Sequence, residues 1–234
     1  MRMIRSNLFN LLFYVWTVFM VVLFAPALLL PYPVTVWGQR LWARGVNLEM
    51  RLSAGIHVEF RGLQHRPRAG AIVAAKHQSA WETLIWHDVL DDPAMVMKKE
   101  LLSIPIYGWF AIKAKMIPVD RKAGASALKT MLRAADEASS MGRPILIFPE
   151  GTRTPVGERG TYQPGVTALY RHLKLPAIPV AVNSGLFWSK EGLSKDGGTI
   201  VLEYGPAIPA GLAKKEFMAE LESRIENATD RLMA

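Results

Sequence analysis

The chain of 234 residues contains no cysteine, and this absence excludes several kinds of chemistry at once. Disulfide bonds, thiolate metal ligands and a cysteine nucleophile are all ruled out. Histidine is scarce, with five in the chain, and His77 and His87 lie ten positions apart, which is not a metal-ligand spacing. Ser79 lacks the G-x-S-x-G turn of a serine acyl-enzyme. We therefore expect no metal, no cofactor and neither a cysteine nor a serine nucleophile.

Charge is absent between positions 8 and 30, where 23 consecutive residues carry none. About 20 apolar residues suffice to cross a bilayer, so this segment predicts a membrane helix. The apolar part of a cleaved signal peptide is shorter, about 7–15 residues, although Ala25-Pro26-Ala27 resembles a cleavage site. We expect Pro26, Pro31 and Pro33 to interrupt the helix.

The next segment, 34–52, is amphipathic. Its apolar residues fall near one helical face, namely Trp37, Leu41, Leu48 and Leu52. Arg40 and Arg44 lie elsewhere, which is typical of an interfacial helix with arginines at lipid headgroups. Because arginines flank the apolar run on both sides, the positive-inside rule does not decide its orientation. A hairpin that dips into one leaflet would keep both sets of arginines on the cytoplasmic side, and a helix that spans the bilayer is the alternative.

Net charge is unevenly distributed along the chain. Residues 1–70 carry eight arginines and two glutamates, and so supply six of the net +8 charges. Cationic residues beside an apolar segment usually face anionic lipid. A basic nucleic-acid arm is seldom attached to so apolar a segment, so we expect no nucleic acid as partner.

Short apolar runs alternate with helical patterns after residue 52. Seven runs predict strands, at 56–60, 71–75, 94–97, 114–119, 145–148, 177–182 and 199–205. Residues 125–141 and 217–232 repeat apolar side chains at helical spacing. This alternation predicts an α/β domain, in which sites gather beyond the carboxyl ends of strands.

The stretch KHQSAWET, at 76–83, places His77 and Glu82 five positions apart, just after a predicted strand. An imidazole can take a proton from an alcohol near neutral pH, and a carboxylate can orient it. Five positions turn a helix by about 500°, so the two meet only if His77 lies in the turn and Glu82 in the first helical turn. Ser79 to Glu82 also reads S-x-x-E, a capping box in which the glutamate binds the serine amide. Both roles stay open.

The stretch FPEGTRT, at 148–154, also follows a predicted strand. Gly151 permits close backbone approach, Thr152 offers a hydroxyl donor, and Arg153 suits bidentate phosphate binding. Glu150 could orient Arg153 or accept a hydrogen bond from a substrate hydroxyl. The alternative for this stretch is a surface turn.

Two further cations lie beyond predicted strands. Lys98 belongs to MKKELL and Arg121 to KMIPVDR. Each is a candidate anion ligand, and each could equally be a solvated surface charge.

Four stretches together resemble the lysophosphatidic-acid acyltransferase family, within the glycerolipid acyltransferase superfamily. They occur in the family's order within roughly residues 70–185: KHQSAWET, MKKELLSIPIYGWFAIKAKMIPVDR, FPEGTRT and LPAIPVAVNSG. The resemblance implies that His77 is the general base and that Glu82 orients it, at a position where the family has aspartate. It assigns the acceptor's phosphate to the second and third blocks, through Lys98, Arg121, Glu150, Gly151, Thr152 and Arg153. Pro179, in the fourth block, matches a region linked to the acyl donor.

The resemblance also implies a fold and a reaction. The expected fold is α/β with a central mixed sheet flanked by helices, divided into membrane-anchoring helices (1–55) and an acyltransferase domain (56–234). The expected reaction moves an acyl group from acyl-CoA or acyl carrier protein to the sn-2 hydroxyl of lysophosphatidic acid, giving phosphatidic acid. We expect membrane lipids as partners and a location at the cytoplasmic face of the inner membrane.

Three alternatives remain at this point. The acceptor could be another lysolipid, such as a lyso-ornithine lipid or a lysophospholipid in remodelling. The protein could be a non-catalytic module that binds anionic lipid. A phosphohydrolase with His77 as nucleophile is a third reading, although no second catalytic histidine block is visible.

Overall fold

The computed structural model describes residues 2–121, 123–189 and 194–234. Within them, seven strands form one sheet: β1 (Ile56–Arg61), β2 (Ile72–Ala75), β3 (Ala94–Lys98), β4 (Ile117–Val119), β5 (Ile145–Ile147), β6 (Ala177–Val182) and β7 (Gly198–Tyr204). All seven strands were expected from the sequence. Only β4 differs by more than one residue, because a helix and a turn with Lys115 at φ 48° precede it.

The strand order is β1-β7-β6-β2-β5-β3-β4. All neighbouring pairs are parallel except β6 and β7, which are antiparallel, so the expected mixed sheet is confirmed. The strands β2, β5, β3 and β4 are consecutive neighbours that run the same way. Loops that follow these four strands therefore meet at one edge of the sheet.

The described residues include seven α-helices: α1 (Arg2–Phe24), α2 (Tyr32–Glu49), α3 (Glu82–Val89), α4 (Tyr107–Lys113), α5 (Gly124–Ser140), α6 (Pro164–Leu173) and α7 (Lys214–Met233). The sequence patterns did not predict α4 or α6. Helix α6 carries a usable signal, since Pro164 lies in its first turn and Val166, Leu169 and Tyr170 are buried.

Both faces of the sheet are covered, which makes three layers. Val73 and Ala75 of β2 pack towards α1, α2 and α3, whereas Ile72 and Ala74 pack towards α5, α6 and α7. A strand buried on both faces needs apolar side chains at every position. This explains why β2 reads as an unbroken apolar run.

The N-terminal helices form the expected helical hairpin. The stretch Arg2–Leu28 is long and apolar enough to cross a membrane, and only 17% of its most apolar window is buried inside the protein. The chain turns through Pro26 and Pro31, but Pro33 lies in the first turn of α2 and does not interrupt it. A proline there loses no helical hydrogen bond, because the first amides have no partner in any case.

Helix α2 faces outward with apolar side chains such as Trp37, which is 60% exposed. Two of its arginines bind α3 and the bend that follows it. Arg44 contacts Asp88 of α3 at 2.7 Å, and Arg40 contacts Asp91, just after α3, at 2.9 Å. Helix α2 is thus tied directly to the helix that begins at the candidate site.

Helix α1 is docked on the loop before β7. The Ser6 hydroxyl donates to the Lys195 carbonyl at 3.1 Å, and the Lys195 ammonium donates to Asn10 at 3.1 Å. Phe9 meets Trp188 edge-on, with ring centroids 5.3 Å apart. The first turns of α1 therefore lie against the sheet domain.

The expected boundary after residue 55 does not separate two cores. Val46 and Met50 of the anchor part share one apolar cluster with Ile56 and Val73 of the sheet. Residues 1–55 and 56–234 therefore share one hydrophobic core.

Candidate active site

His77 and Glu82 meet in the arrangement that their spacing requires. His77 lies in the turn after β2, and Glu82 is the first residue of α3. His77 Nδ1 is 2.9 Å from Glu82 Oε2, and the two side chains are 12% and 0% exposed. The other ring nitrogen, Nε2, is left for a substrate, since His77 also lines a cavity.

The Glu82 carboxylate also caps the helix. The Ser79 amide donates to its two oxygens, at 3.1 and 2.9 Å, while the Ser79 hydroxyl accepts from the Trp81 amide at 3.1 Å. The hydroxyl of Ser184 also donates to Glu82 Oε1. One buried carboxylate therefore binds both the imidazole and the helix start, so capping and orientation are not alternatives.

The backbone and ring of His77 are held by the loop after β5. The His77 amide donates to Glu150 Oε2 at 2.9 Å, and its carbonyl accepts from the Thr154 amide at 2.8 Å. The Phe148 ring stacks on the imidazole, with centroids 4.2 Å apart and planes 19° apart. The FPEGTRT stretch thus fixes the position of the candidate base from two directions.

A buried ionic network supports this loop. The Lys76 ammonium lies 2.7 Å from Glu150 Oε1 and 2.9 Å from both oxygens of Glu226, and all three side chains are at most 2% exposed. The Tyr162 hydroxyl donates to Glu226 at 3.0 Å. Burial raises the pKa of Tyr162, and the carboxylates of Glu226 and Glu150 raise that pKa further.

This network corrects the role expected for Glu150. The sequence offered it as a residue that orients Arg153 or accepts a substrate hydroxyl, and the resemblance placed it among the phosphate binders. Its oxygens instead bind Lys76 and the His77 amide, and it does not line the cavity. Its position suits a residue that holds His77 in place.

The cavity has a volume of about 870 Å³ and a lining of two kinds. Beside His77, its polar lining includes five of the other expected residues, Lys98, Arg121, Gly151, Thr152 and Arg153. Its apolar lining includes Met95, Met97, Leu101, Ile104, Leu128 and Met131. A base, three cations and an apolar wall thus share one space that could hold an amphiphilic anion.

The second and third sequence blocks touch at Gly151. Its φ is 69°, and a Cβ at this position would lie 3.4 Å from Arg121 Nη2 and 3.3 Å from Gln163 Cγ. Glycine therefore satisfies both the left-handed backbone and the close approach of the Arg121 guanidinium. The two blocks, 30 residues apart in the chain, build one cationic wall.

Three residues near the base were missed by the sequence analysis. Ser184 and Lys76 lie within the quoted stretches, but nothing local shows that the first reaches Glu82 or that the second reaches Glu226. Phe148, directly after β5, is in sequence an ordinary apolar residue at the end of an apolar run. Pro179, which the resemblance linked to the acyl donor, lies within β6 and does not line this cavity. The contribution of the fourth block to the site comes from Ser184.

The chain is similar in sequence to known acyltransferases. The model of the family described as Acyltransferase matches residues 57–183. A 1-acyl-sn-glycerol-3-phosphate acyltransferase of Pseudomonas aeruginosa is 39% identical over 193 residues, which cover 82% of this chain and 75% of the relative. The protein of the same name in Saccharomyces cerevisiae is 27% identical, over 83% of this chain and 66% of its own.

A solved structure shares the fold. The crystal structure of the 1-acyl-sn-glycerophosphate (LPA) acyltransferase PlsC from Thermotoga maritima superposes with a TM-score of 0.81 at 21% identity. The match covers 100% of this chain and 98% of that one. The N-terminal helices are therefore part of the shared architecture.

Proposed function

The chain belongs to the Acyltransferase family, and we propose that it transfers an acyl group from a thioester to the sn-2 hydroxyl of lysophosphatidic acid, giving phosphatidic acid. The observation that carries this proposal is the pairing of His77 with buried Glu82 at the wall of a cavity that also presents three cations and an apolar surface. The names of the relatives agree with this acceptor and product.

His77 is the proposed general base. Its Nε2 takes the proton of the acceptor hydroxyl while that oxygen attacks the thioester carbonyl. Glu82, bonded to Nδ1, holds the tautomer and stabilises the imidazolium that forms. The carbon–sulfur bond then breaks, the new ester remains, and the imidazolium returns its proton to the departing thiolate.

The cations are the proposed phosphate site. Lys98, Arg121 and Arg153 line the cavity, and Thr152 adds a hydroxyl donor. One arginine side chain can donate two parallel hydrogen bonds to a phosphate group. Gly151 has no side chain, so the Arg121 guanidinium can lie close to the turn that contains Thr152 and Arg153. These residues bind the phosphate of the acceptor, while His77 accepts the proton of its hydroxyl.

The apolar lining is the proposed place for an acyl chain, and the donor is acyl-CoA or acyl carrier protein. Met95, Met97 and Met131 offer flexible side chains that adapt to a hydrocarbon. The net charge of +8 attracts both the phosphates of coenzyme A and an acidic carrier protein.

We propose that residues 1–55 anchor the protein to the cytoplasmic face of the inner membrane and that residues 56–234 carry the chemistry. The outward apolar surface of α1, with Leu11, Val18 and Val22 more than 60% exposed, supports this division. Acceptor and product are both membrane lipids, so anchoring brings the cavity to its substrate.

The test is an acyl-transfer assay of the purified protein with lysophosphatidic acid, lysophosphatidylcholine and a lyso-ornithine lipid, each with acyl-CoA and acyl carrier protein. We expect transfer to lysophosphatidic acid, and loss of at least about a hundredfold in kcat in His77→Ala. A folded, membrane-bound His77→Ala protein with full activity would overturn the catalytic role.

The phosphate site has its own variant. Arg153→Ala should raise the KM for lysophosphatidic acid by about tenfold or more, because a charge-assisted pair is lost. Arg133→Ala is the matched control, since Arg133 lies on α5, 86% exposed and outside the cavity. An unchanged KM in Arg153→Ala would indicate an acceptor without this phosphate.

A further inference from the structure

A second cavity lies at the edge of the sheet opposite to the candidate active site. Strand β6 is parallel to β2 and antiparallel to β7, and β7 is parallel to β1. The loops that follow β1 and β7 therefore leave the sheet at the edge opposite to the loops that carry His77 and Arg153. The second cavity, lined by these loops and by α7, has a volume of about 580 Å³ and shares no lining residue with the cavity beside His77. It is called the second cleft.

Polar side chains from two distant parts of the chain line the second cleft. Helix α7 contributes a face with four polar side chains at helical spacing, Ser223, Arg224, Asn227 and Arg231. The loop after β1 contributes a carboxamide and an imidazole, from Gln64 and His65. A concave space with several polar groups that converge on it is typical of a site for a small ligand.

Positive charge dominates the loop that borders the cleft. The ten residues 61–70 include three arginines and one histidine but no acidic residue. Among the described residues, Arg66 and Arg68 have no partner in an ion pair or a hydrogen bond. The loop therefore brings positive charge to the cleft that the protein does not neutralise.

The two arginines of α7 have acidic partners at the surface. Arg224 lies 2.6 Å from Glu220, one turn earlier in the helix, and Arg231 lies 3.4 Å from Glu203 of β7. The side chains of the two arginines are 34% and 65% exposed. Ion pairs between such exposed side chains contribute little free energy, so both guanidinium groups stay available to a ligand.

Tyr204 lines the second cleft as well, and its hydroxyl is buried without a hydrogen-bond partner among the described residues. Burial raises the pKa of Tyr204, and the positive charge of Arg66 opposes that rise. The charge of the loop thus acts on this hydroxyl. Buried polar groups in folded proteins are normally hydrogen-bonded, so an unpartnered hydroxyl beside a cavity indicates a place for a further polar group.

We propose that the second cleft binds a phosphate-bearing ligand, with Arg224 and Arg231 on the phosphate group. Guanidinium groups donate paired hydrogen bonds to phosphate oxygens, and the unneutralised arginines of the loop favour a dianion. The cleft has room for more than a phosphate ion, so the ligand is a phosphate ester, either a small soluble compound or the headgroup of a lipid. Binding there does not depend on acyl transfer at His77.

A ligand in this cleft also acts on the helix that supports the candidate base. Glu226, which binds Lys76 in the buried network, lies on α7 between the cleft residues Arg224 and Asn227. The ligand joins the loop after β1 to this part of α7. It therefore holds in place the helix that supplies the Glu226 carboxylate.

Binding can be measured with one label at the cleft. Because the chain has no cysteine, Leu63→Cys provides a single site for an environment-sensitive fluorophore. Leu63 is 52% exposed and directly precedes Gln64 and His65. The full-length labelled protein is titrated in detergent with sn-glycerol 3-phosphate. A second set is placed in phosphatidylcholine nanodiscs with increasing phosphatidic acid.

We expect a saturable change of emission. A change with sn-glycerol 3-phosphate identifies a soluble ester as sufficient, and a change only with phosphatidic acid identifies the lipid headgroup. In either case the double variant Arg224→Gln/Arg231→Gln should raise the Kd by about tenfold or more, because two charge-assisted contacts are lost. Asn227→Asp, an exposed substitution of the same shape, should also raise the Kd, because it adds a negative charge to the lining.

Two control variants separate the cleft from the rest of the surface and from the other cavity. Arg133→Gln removes an arginine that also belongs to an i,i+4 pair, with Glu137, and that lines neither cavity. Arg153→Ala removes a cation from the cavity beside His77. Both should keep the Kd of the labelled parent protein.

Three results would overturn the proposal. The first is the lack of a saturable change with either ligand. The second is a Kd that the double variant and Asn227→Asp both leave unchanged. The third is loss of the change in Arg153→Ala, which would show that the ligand binds beside His77 and that the label responds from a distance.

Discussion

Glu82 Oε2 lies 2.9 Å from His77 Nδ1 and also 2.9 Å from the Ser79 amide nitrogen. The same oxygen orients the candidate base and caps the helix on which Glu82 stands. The extra methylene of glutamate, where the family pattern has aspartate, is accommodated because α3 begins at Glu82 itself.

Replacement of Glu82 by glutamine separates charge from capping. Glu82→Gln keeps an oxygen for the Ser79 amide, but it cannot stabilise an imidazolium by charge. We expect kcat to fall by about a hundredfold to ten-thousandfold. The free energy of unfolding should fall by about 1–2 kcal/mol, because one buried donor loses its acceptor. Steady-state kinetics and denaturant unfolding measure the two effects.

Glu59→Gln is a control for that substitution, because Glu59 is an exposed glutamate on β1. If Glu82→Gln retained full activity and full stability, Glu82 would be a helix cap only.

The Lys76 network predicts non-additive losses of stability. Lys76→Met leaves Glu150 and Glu226 buried without their cation, so the free energy of unfolding should fall by about 3–5 kcal/mol. Glu226→Gln should cost less, because its amide oxygen still accepts from Lys76 and Tyr162. The double variant should lose clearly less than the sum of the two single variants.

Unfolding of the four proteins by denaturant gives the coupling between the two sites. Additive losses would show that Lys76 and Glu226 do not support each other. Where Glu226→Gln remains folded, its kcat should fall more than its KM changes, because the Glu150–His77 contact is disturbed.

Gly151→Ala tests the contact between the second and third blocks. The methyl group of alanine at position 151 is disfavoured by the left-handed backbone and lies close to the Arg121 guanidinium. Gly157→Ala is a matched control, with φ of 81° and nothing within 4 Å of the new Cβ. Both variants should lose about 1–2 kcal/mol of stability through backbone strain.

Only Gly151→Ala should also raise the KM for lysophosphatidic acid, because Arg121 is displaced; about fivefold or more is expected for a weakened charge-assisted contact. Equal KM values in the two alanine variants would show that Arg121 does not bind the phosphate of the acceptor. Measured KM values at matched acyl-CoA concentrations decide the comparison.

His87 predicts a pH dependence of stability. Burial, with a smaller contribution from the charge of Arg143, lowers the pKa of His87 to about 4. In the unfolded chain the pKa of His87 is near 6.5. Between about pH 4 and 6.5, His87 is therefore protonated in the unfolded state and neutral in the folded state. The stabilisation present above pH 6.5 is therefore lost as the pH falls towards 4.

The loss amounts to at most about 3 kcal/mol, which is the difference between the folded and unfolded pKa values converted to free energy. Unfolding free energies at pH 7 and 4.5 should differ less in His87→Gln than in the wild type. His57→Gln, at an exposed position, should keep the wild-type difference. An identical pH dependence in all three proteins would contradict this origin.

Local sequence was sufficient for the strands and for the position of the candidate base. Buried strands must be apolar at every position, so β2 and β5 could be recognised from short runs. His77 and Arg153 each follow a predicted strand, and sites in α/β domains gather beyond the carboxyl ends of strands. Helices α4 and α6 escaped detection because they are only 7 and 10 residues long.

Local periodicity and residue type are enough to predict most of the strands and helices, the apolar N-terminal segment and the side chains available for chemistry. The direction in which each polar group faces depends on tertiary contacts. Glu150 turned towards Lys76 and not towards the cavity, and Lys76 found Glu226 150 residues away. Such partners depend on how the sheet brings distant loops together, and a buried charge must bind whichever opposite charge the packing brings within reach.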